Sequence, residues 1–142
     1  MGRILGIDFG SRRVGLAISD PTATIAQPLP TLTRRVGKRP PVAAVTALAQ
    51  QYEVSEIVIG LPLSLQGDET DWTAEVREFG AKVADRTGVP VSWLDERMTS
   101  VLAEKTVRSL GLKRSERERK DRVDTAAALL ILQAFLDRRS RA

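Results

Sequence analysis

The 142-residue sequence contains no cysteine and no histidine. Their absence excludes disulfides, Cys/His zinc sites, cysteine nucleophiles and every mechanism that uses imidazole as a general base. Any catalysis by this chain must therefore use carboxylates, hydroxyls, lysines, arginines or a bound metal. Because carboxylate oxygens are hard ligands, a metal site built from them would suit Mg²⁺ or Mn²⁺.

Long apolar runs and a secretion signal are also missing. No apolar stretch reaches the ~18 residues of a membrane span, and no basic start precedes an apolar segment and a cleavage site. We therefore expect no membrane partner and a cytoplasmic location. The 22 Lys and Arg against 18 Asp and Glu give a formal charge of +4, which favours polyanionic partners such as nucleic acid but does not identify them. The length fits a single domain, residues 1–142, with one core.

Strand and helix signals alternate along the chain after an opening run of strands. We expect strands at 4–10, 14–20, 25–33, 56–62 and 89–96, and helices from about 41, from about 71, from 99 or 100 to about 110, and over about 121–137. Pro28 and Pro30 would confine the third strand to a sheet edge. This order predicts an α/β fold with a mixed five-stranded sheet, a three-stranded antiparallel meander plus two parallel strands, flanked by helices.

Three carboxylates fall at the termini of predicted elements. Asp8 lies near the end of the first strand, where open α/β sheets usually bind ligands; Glu96 follows the last strand; and Asp124 lies in the first turn of the last helix. Each also has a structural explanation: a turn acid for Asp8, a local ion-pair cluster for Glu96, and an interaction with the helix dipole for Asp124. From the residues alone both interpretations stay open.

Strand parity separates the two acids of the LDERMTS segment. If the last strand continues through it, Asp95 and Glu96 lie on opposite faces, so only one of them can join Asp8. Arg97 directly after them could pair locally with a neighbouring acid.

Three segments could contribute to a substrate surface. Near Asp8, Gly10 and Gly15 would let the backbone approach a ligand closely or adopt a positive φ. The loop at 59–70, IGLPLSLQGDET, could line a groove, although a connecting loop is the simpler interpretation. The charged stretch at 113–122 is either a solvated loop or a basic lip that contacts phosphates.

In combination these motifs resemble the YqgF/RuvX family, a group of pre-16S rRNA nucleases or Holliday junction resolvases with an RNase H-like fold. The matching segments cover essentially the whole length in order: LGIDFGSRRVGLAISD, IVIGLPLSLQG, LDERMTSVLAE and KDRVDTAAALLILQAFLD. The middle motif departs from the family pattern, since Ser64 stands where Asn is more usual and acidic residues follow Gly67. This departure affects the substrate contacts expected of that loop.

The resemblance implies a carboxylate metal site. Asp8, Glu96 and Asp124 would bind one or two Mg²⁺ or Mn²⁺ ions, with Asp8 as the bridging ligand, and the site would hydrolyse phosphodiester bonds. The expected function is 5′ maturation of the precursor of 16S ribosomal RNA.

Substrate contacts are expected from basic residues, and the substrate itself stays open. Lys120, Arg97 and Arg12 are the predicted contacts to a nucleic-acid backbone. One alternative substrate is a four-way DNA junction, which a homodimer would cut on paired strands. Another alternative is a noncatalytic RNA-binding factor in ribosome assembly. The D-x-G motif is also similar to the first phosphate loop of actin-like ATPases, but those proteins bind nucleotide between two such domains.

Overall fold

The computed structural model describes residues 2–34, 39–99 and 117–141, with side chains in the last range described from residue 126. The strands are β1 (Arg3–Phe9), β2 (Arg13–Ser19), β3 (Ala26–Thr33), β4 (Val54–Leu61) and β5 (Val91–Asp95). The helices are α1 (Val42–Gln51), α2 (Asp71–Thr87) and α3 (Arg117–Ser140), with a short 3₁₀ helix (Glu96–Met98) after β5. The helix expected from residue 99 or 100 to about 110 lies outside the described residues.

The five strands form one mixed sheet in the order β3-β2-β1-β4-β5. The β1–β2 and β2–β3 pairs are antiparallel, whereas β1–β4 and β4–β5 are parallel. The predicted meander with two parallel strands is therefore confirmed. Pro28 and Pro30 lie in the edge strand β3, as predicted. An edge strand tolerates proline because one side of its backbone makes no ladder hydrogen bonds.

Each face of the sheet is covered by helices, which divides the core into two clusters. On one face, α1 and α2 bury Val45, Val76 and Phe79 against alternate residues of the strands. On the other face, α3 packs Ile131 and Leu132 against the remaining ones. Burial on both faces explains why β1 and β4 read as continuous apolar runs. Among the described helices, none is long and apolar enough to cross a membrane.

Helix α3 runs antiparallel to β4. Ile131 of α3 packs beside Gly60 near the end of β4, while Arg139, two turns later, forms an ion pair at 2.7 Å with Glu56 near the start of β4. The earlier residues of α3 are therefore directed toward the carboxyl ends of β1 and β4. Asp8 lies at this end of the sheet, near the carboxyl end of β1.

Candidate active site at the carboxyl edge of the sheet

Asp8 is a buried acid on the α3 face of the sheet. It is 2% exposed and lies in β1 two residues after Gly6, so the two share a face. A Cβ on Gly6 would lie 2.7 Å from Cβ of Leu132, which identifies that face as the one under α3. Because Ile7 pairs with Ile59, the next step of the register places Asp8 beside Gly60.

Glu96 is the second buried acid at this edge. Strand β5 ends at Asp95, and Glu96 begins the 3₁₀ helix with 3% exposure. Its Oε1 lies 2.9 Å from the position that a Cβ on Gly60 would occupy, and Ile131 of α3 lies 2.5 Å from the same position. Glu96 therefore lies on the face of Asp8, although a 3₁₀ turn and not a continued strand brings it there.

Asp95 pairs locally with Arg97. Nη2 of Arg97 lies 2.8 Å from Oδ2 of Asp95, and the backbone N–H of Arg97 donates to Oδ1 at 2.9 Å. These hydrogen bonds hold the pKa of the Asp95 carboxyl below its usual range. Arg97 also donates to the carbonyl of Leu65 at 3.4 Å. The arginine is thus held between Asp95 at the end of β5 and the loop that follows β4. Its predicted contact to substrate stays a prediction.

Arg12 is exposed in the β1–β2 hairpin, directly beyond Asp8. The hairpin closes through a hydrogen bond from the N–H of Gly10 to the carbonyl of Arg13 at 2.8 Å. Among the described glycines the positive φ values belong to Gly67 and Gly88, so a positive φ for Gly10 or Gly15 is wrong.

Gly10 is needed for a different reason. A Cβ on Gly10 would lie 2.6 Å from the carbonyl oxygen of Arg13, so the close approach is to the partner strand of the hairpin. The glycine therefore permits the hairpin itself.

Arg34 supports this hairpin and was not predicted from the sequence. Its Nη1 donates to the carbonyl of Gly10 at 2.9 Å, and its backbone N–H donates to the carbonyl of Arg12 at 2.6 Å. The guanidinium carbon lies 4.4 Å from the ring centre of Phe9, which is a cation–π geometry. An arginine at the end of an edge strand has no periodic signal, so sequence patterns could not assign this contact.

The remaining predicted residues lie in the first half of α3. Asp124 and Lys120 belong to this helix, but their side chains are outside the described part of the structure. Within the described ranges, no group of three metal-ligating side chains is found.

Asp8 and Glu96 nevertheless provide a donor set that suits a hard divalent cation. Both are carboxylates with 2–3% exposure; Glu96 lies beside Gly60, and the β1–β4 register places Asp8 next to the same glycine. Carboxylate oxygens are the ligands that Mg²⁺ and Mn²⁺ prefer. The residues present therefore fit the metal expected from the sequence.

Comparison with solved structures shows the fold class. Thermus thermophilus RuvC in complex with a Holliday junction substrate superimposes with a TM-score of 0.58 at 20% identity, covering 97% of this chain and 96% of that chain. A second T. thermophilus RuvC structure gives a TM-score of 0.56 at 15% identity. The protein thus has the RNase H-like fold.

The particular family follows from sequence comparison. The chain belongs to the RuvX family, whose model is described as Holliday junction resolvase and matches residues 2–138. A relative from Koribacter versatilis, named "Putative pre-16S rRNA nuclease", is 47% identical over 97% of this chain and 88% of its own length. Relatives of the same name from Roseiflexus sp. and Anaeromyxobacter dehalogenans are 38% and 41% identical over 96% and 97% of this chain, and over 94% and 98% of their own lengths.

Proposed function

We propose that the protein is a divalent-metal-dependent endonuclease that hydrolyses phosphodiester bonds of the 16S rRNA precursor during 5′ maturation. The observation that carries this proposal is the placement of Asp8 and Glu96, both buried, on one face at the carboxyl edge of the sheet. The substrate is supported by the names of relatives up to 47% identical over nearly the whole chain. Such a role would be carried out in the cytoplasm.

Asp124 is the third proposed metal ligand, and the course of the α3 backbone supports it. The carbonyl oxygen of Ala128 lies 3.3 Å from the position of a Cβ on Gly6. Asp124 is four residues before Ala128, or about 6 Å along the helix axis. Asp8 is two residues beyond Gly6, or about 6.6 Å along the strand in the same direction. The two steps are of similar length and lead in the same direction, which supports a position of residue 124 close to Asp8.

The chain's own residues have two tasks in this proposal. Asp8, Glu96 and Asp124 would hold Mg²⁺ or Mn²⁺, which when bound supplies charge stabilisation to the phosphodiester and acidifies water. Burial of Asp8 and Glu96 fixes their carboxylates on the α3 face. With no histidine in the chain, these carboxylates would also accept the protons released during hydrolysis.

Basic residues around this edge would bind the sugar-phosphate backbone. Arg12 is exposed on the hairpin beyond Asp8 and is the best placed of the described candidates. Lys120 in α3 and Arg97 after Glu96 are the other proposed contacts. Because phosphate contacts carry no sequence information, binding should depend strongly on salt and weakly on sequence.

A substrate comparison tests this function. Cleavage of a 16S precursor fragment, a generic single-stranded RNA and a four-way DNA junction is measured in Mg²⁺ and in Mn²⁺. We expect preferential cleavage of the precursor and at least about a 100-fold lower rate for Asp8→Asn, since metal stabilisation of the transition state amounts to several kcal/mol. Asp85→Asn, an exposed acid in α2, is the control and should cleave at the wild-type rate. Equal rates for Asp8→Asn and wild type would refute the site.

The second candidate function is resolution of four-way DNA junctions, favoured by the description of the matching family as Holliday junction resolvase. A homodimer would then be expected, and the partly buried Leu129, Leu130 and Phe135 on α3 could contribute to its interface. Preferential symmetric cleavage of the junction, together with a dimeric mass in light scattering, would favour this function over RNA maturation. RNA binding without any metal-dependent cleavage by the wild type would instead indicate an assembly factor.

A further inference from the structure

The loop between β4 and α2, residues 62–70, presents an exposed leucine in a closed turn. Leu65 is 78% exposed. The turn around it is closed by hydrogen bonds from the N–H of Ser64 to the carbonyl of Asp68 at 2.9 Å and from the N–H of Gly67 to the carbonyl of Ser64 at 2.9 Å. The Ser64 hydroxyl accepts a third bond from the N–H of Asp68 at 3.0 Å. The hydrogen-bonded turn therefore keeps the side chain of Leu65 exposed to solvent.

Arg97 connects this turn to the candidate active site. The φ of +91° at Gly67 brings the backbone over the guanidinium, where a Cβ would lie 2.9 Å from Nη1 of Arg97. The same nitrogen donates to the carbonyl of Leu65, and the guanidinium is fixed by Asp95. Since Arg97 directly follows Glu96, this hydrogen bond connects the turn at Leu65 with the residue next to that carboxylate.

The charges around Leu65 determine which part of a nucleic acid can bind there. Glu69 pairs with Arg77 at 2.6 Å, and Asp95 pairs with Arg97, so both nearby arginines have acidic partners. Asp68 and Asp71 are exposed and add further negative charge. The acids beside Leu65 disfavour a phosphate at the leucine itself and leave phosphate contacts to the arginine side of the loop, whereas an uncharged nucleobase can pack on the apolar side chain.

Resting on the proposed function, we propose that Leu65 is a specificity-determining residue that packs against an unstacked nucleobase beside the cleaved phosphodiester. The ordered turn would lose little conformational freedom on binding, which favours a defined contact. The enzyme would then prefer cleavage sites with an unpaired nucleotide at the position that reaches Leu65.

The test combines removal of Leu65 with removal of the base. Binding of a single-stranded RNA, and of copies with one abasic residue at each position in turn, is measured with Asp8→Asn and with Asp8→Asn carrying Leu65→Ala. We expect Leu65→Ala to weaken binding of intact RNA by about fivefold, at the lower end of base-stacking effects. An abasic residue at one position should weaken RNA binding by Asp8→Asn by a similar factor. The same abasic residue should hardly change RNA binding by Asp8→Asn carrying Leu65→Ala. The salt dependence should be unchanged, because no phosphate contact is lost.

Ile25→Ala is the matched control, because Ile25 is also a large apolar residue with 61% exposure. It lies in the β2–β3 loop, at the opposite end of the sheet from Asp8. Ile25→Ala should bind intact RNA like its parent. Equal behaviour of Leu65→Ala and Ile25→Ala, additive losses at every abasic position, or a reduced salt slope would each overturn the proposal. If the wild type neither binds nor cleaves RNA or a DNA junction, the proposed function itself has failed. If the wild type cleaves RNA and Leu65→Ala changes neither binding nor cleavage, this inference alone is overturned.

Discussion

The carboxylate of Glu96 lies in the space that a side chain on Gly60 would fill. Oε1 of Glu96 is 2.9 Å from the position of a Cβ on Gly60, and Cγ is 3.1 Å from it. Glu96 follows β5, Gly60 is the next-to-last residue of β4, and the two strands pair in parallel. Glycine at residue 60 is therefore a requirement of the site and is not explained by backbone conformation, since its φ is not positive.

Gly60→Ala is expected to damage the proposed metal site and the fold together. The new methyl group would displace Glu96 and also meet Cδ1 of Ile131 at 2.5 Å, so we expect a loss of about 1–3 kcal/mol in the free energy of unfolding. The displaced carboxylate should weaken Mn²⁺ binding at least about tenfold, equivalent to about 1.4 kcal/mol. Urea unfolding and calorimetric Mn²⁺ titration measure the two effects.

Gly80→Ala separates these effects, because it overpacks the other face of the sheet. Its Cβ would lie 2.5 Å from the Trp93 ring, under α2. We expect a similar loss of stability with unchanged Mn²⁺ affinity. Equal weakening of Mn²⁺ binding in both variants would show that the effect of Gly60→Ala is general destabilisation.

Metal binding should raise the thermal stability of the protein through Asp8. A ligand present at 100 times its Kd stabilises the folded state by about 2.7 kcal/mol, or roughly 8 °C in Tm for a domain of this size. We expect this shift with Mn²⁺ in the wild type and its reversal by a chelator. Asp8→Asn should show little shift, and a full shift in that variant would place the metal elsewhere.

Much of the fold could be predicted because apolar periodicity and turn residues are local signals. The strand around Asp8, the prolines of β3 and the start of α2 at Asp71 all carried such signals. Parity also assigned Glu96 and Asp95 to opposite faces. It did so from a strand expected to continue through residue 96, whereas β5 ends at Asp95.

The contacts that complete the site could not be predicted, because they join residues far apart in the chain. The space at Gly60 is defined by Glu96 and by Ile131 of α3 together. The contact of Arg34 with the Gly10 carbonyl likewise spans 24 residues. A single sequence contains no register between such segments, so these relationships required the assembled sheet.

Asp20 should make stability depend on pH in the acid range. Its carboxylate accepts hydrogen bonds from the backbone N–H groups of Thr24 at 2.8 Å, Ile25 at 2.9 Å and Thr22 at 3.3 Å. The bond from Ile25, then a bond donated by the Thr22 hydroxyl and the bond from Thr24, hold the pKa of Asp20 well below its usual range.

A lowered folded-state pKa means that the stabilisation from Asp20 is fully present above the ordinary Asp pKa of about 3.9 and is lost as pH falls toward the folded-state pKa. Asp20→Asn should therefore be less stable than wild type at pH 7, and the difference should shrink below pH ~4. Urea unfolding across this range measures it, with Asp85→Asn as an exposed control. A difference that stays constant with pH would contradict the assignment.

Arg34→Lys should loosen the hairpin that follows Asp8 while preserving its charge. Lysine cannot reproduce both the bond to the Gly10 carbonyl and the planar stacking on Phe9, so we expect a loss of about 1 kcal/mol in stability. The bond from the N–H of Gly10 to Arg13 should then open more often, which hydrogen exchange of this amide measures.

Arg3→Lys is the matched control, because Arg3 donates to the carbonyl of Ser19 at 3.0 Å at the opposite end of the same strand pair. If only Arg34→Lys shows faster exchange at Gly10, together with a lower Mn²⁺ affinity, then Arg34 positions Asp8 through the hairpin. If the exchange rate is the same in both variants, Arg34 has no such role.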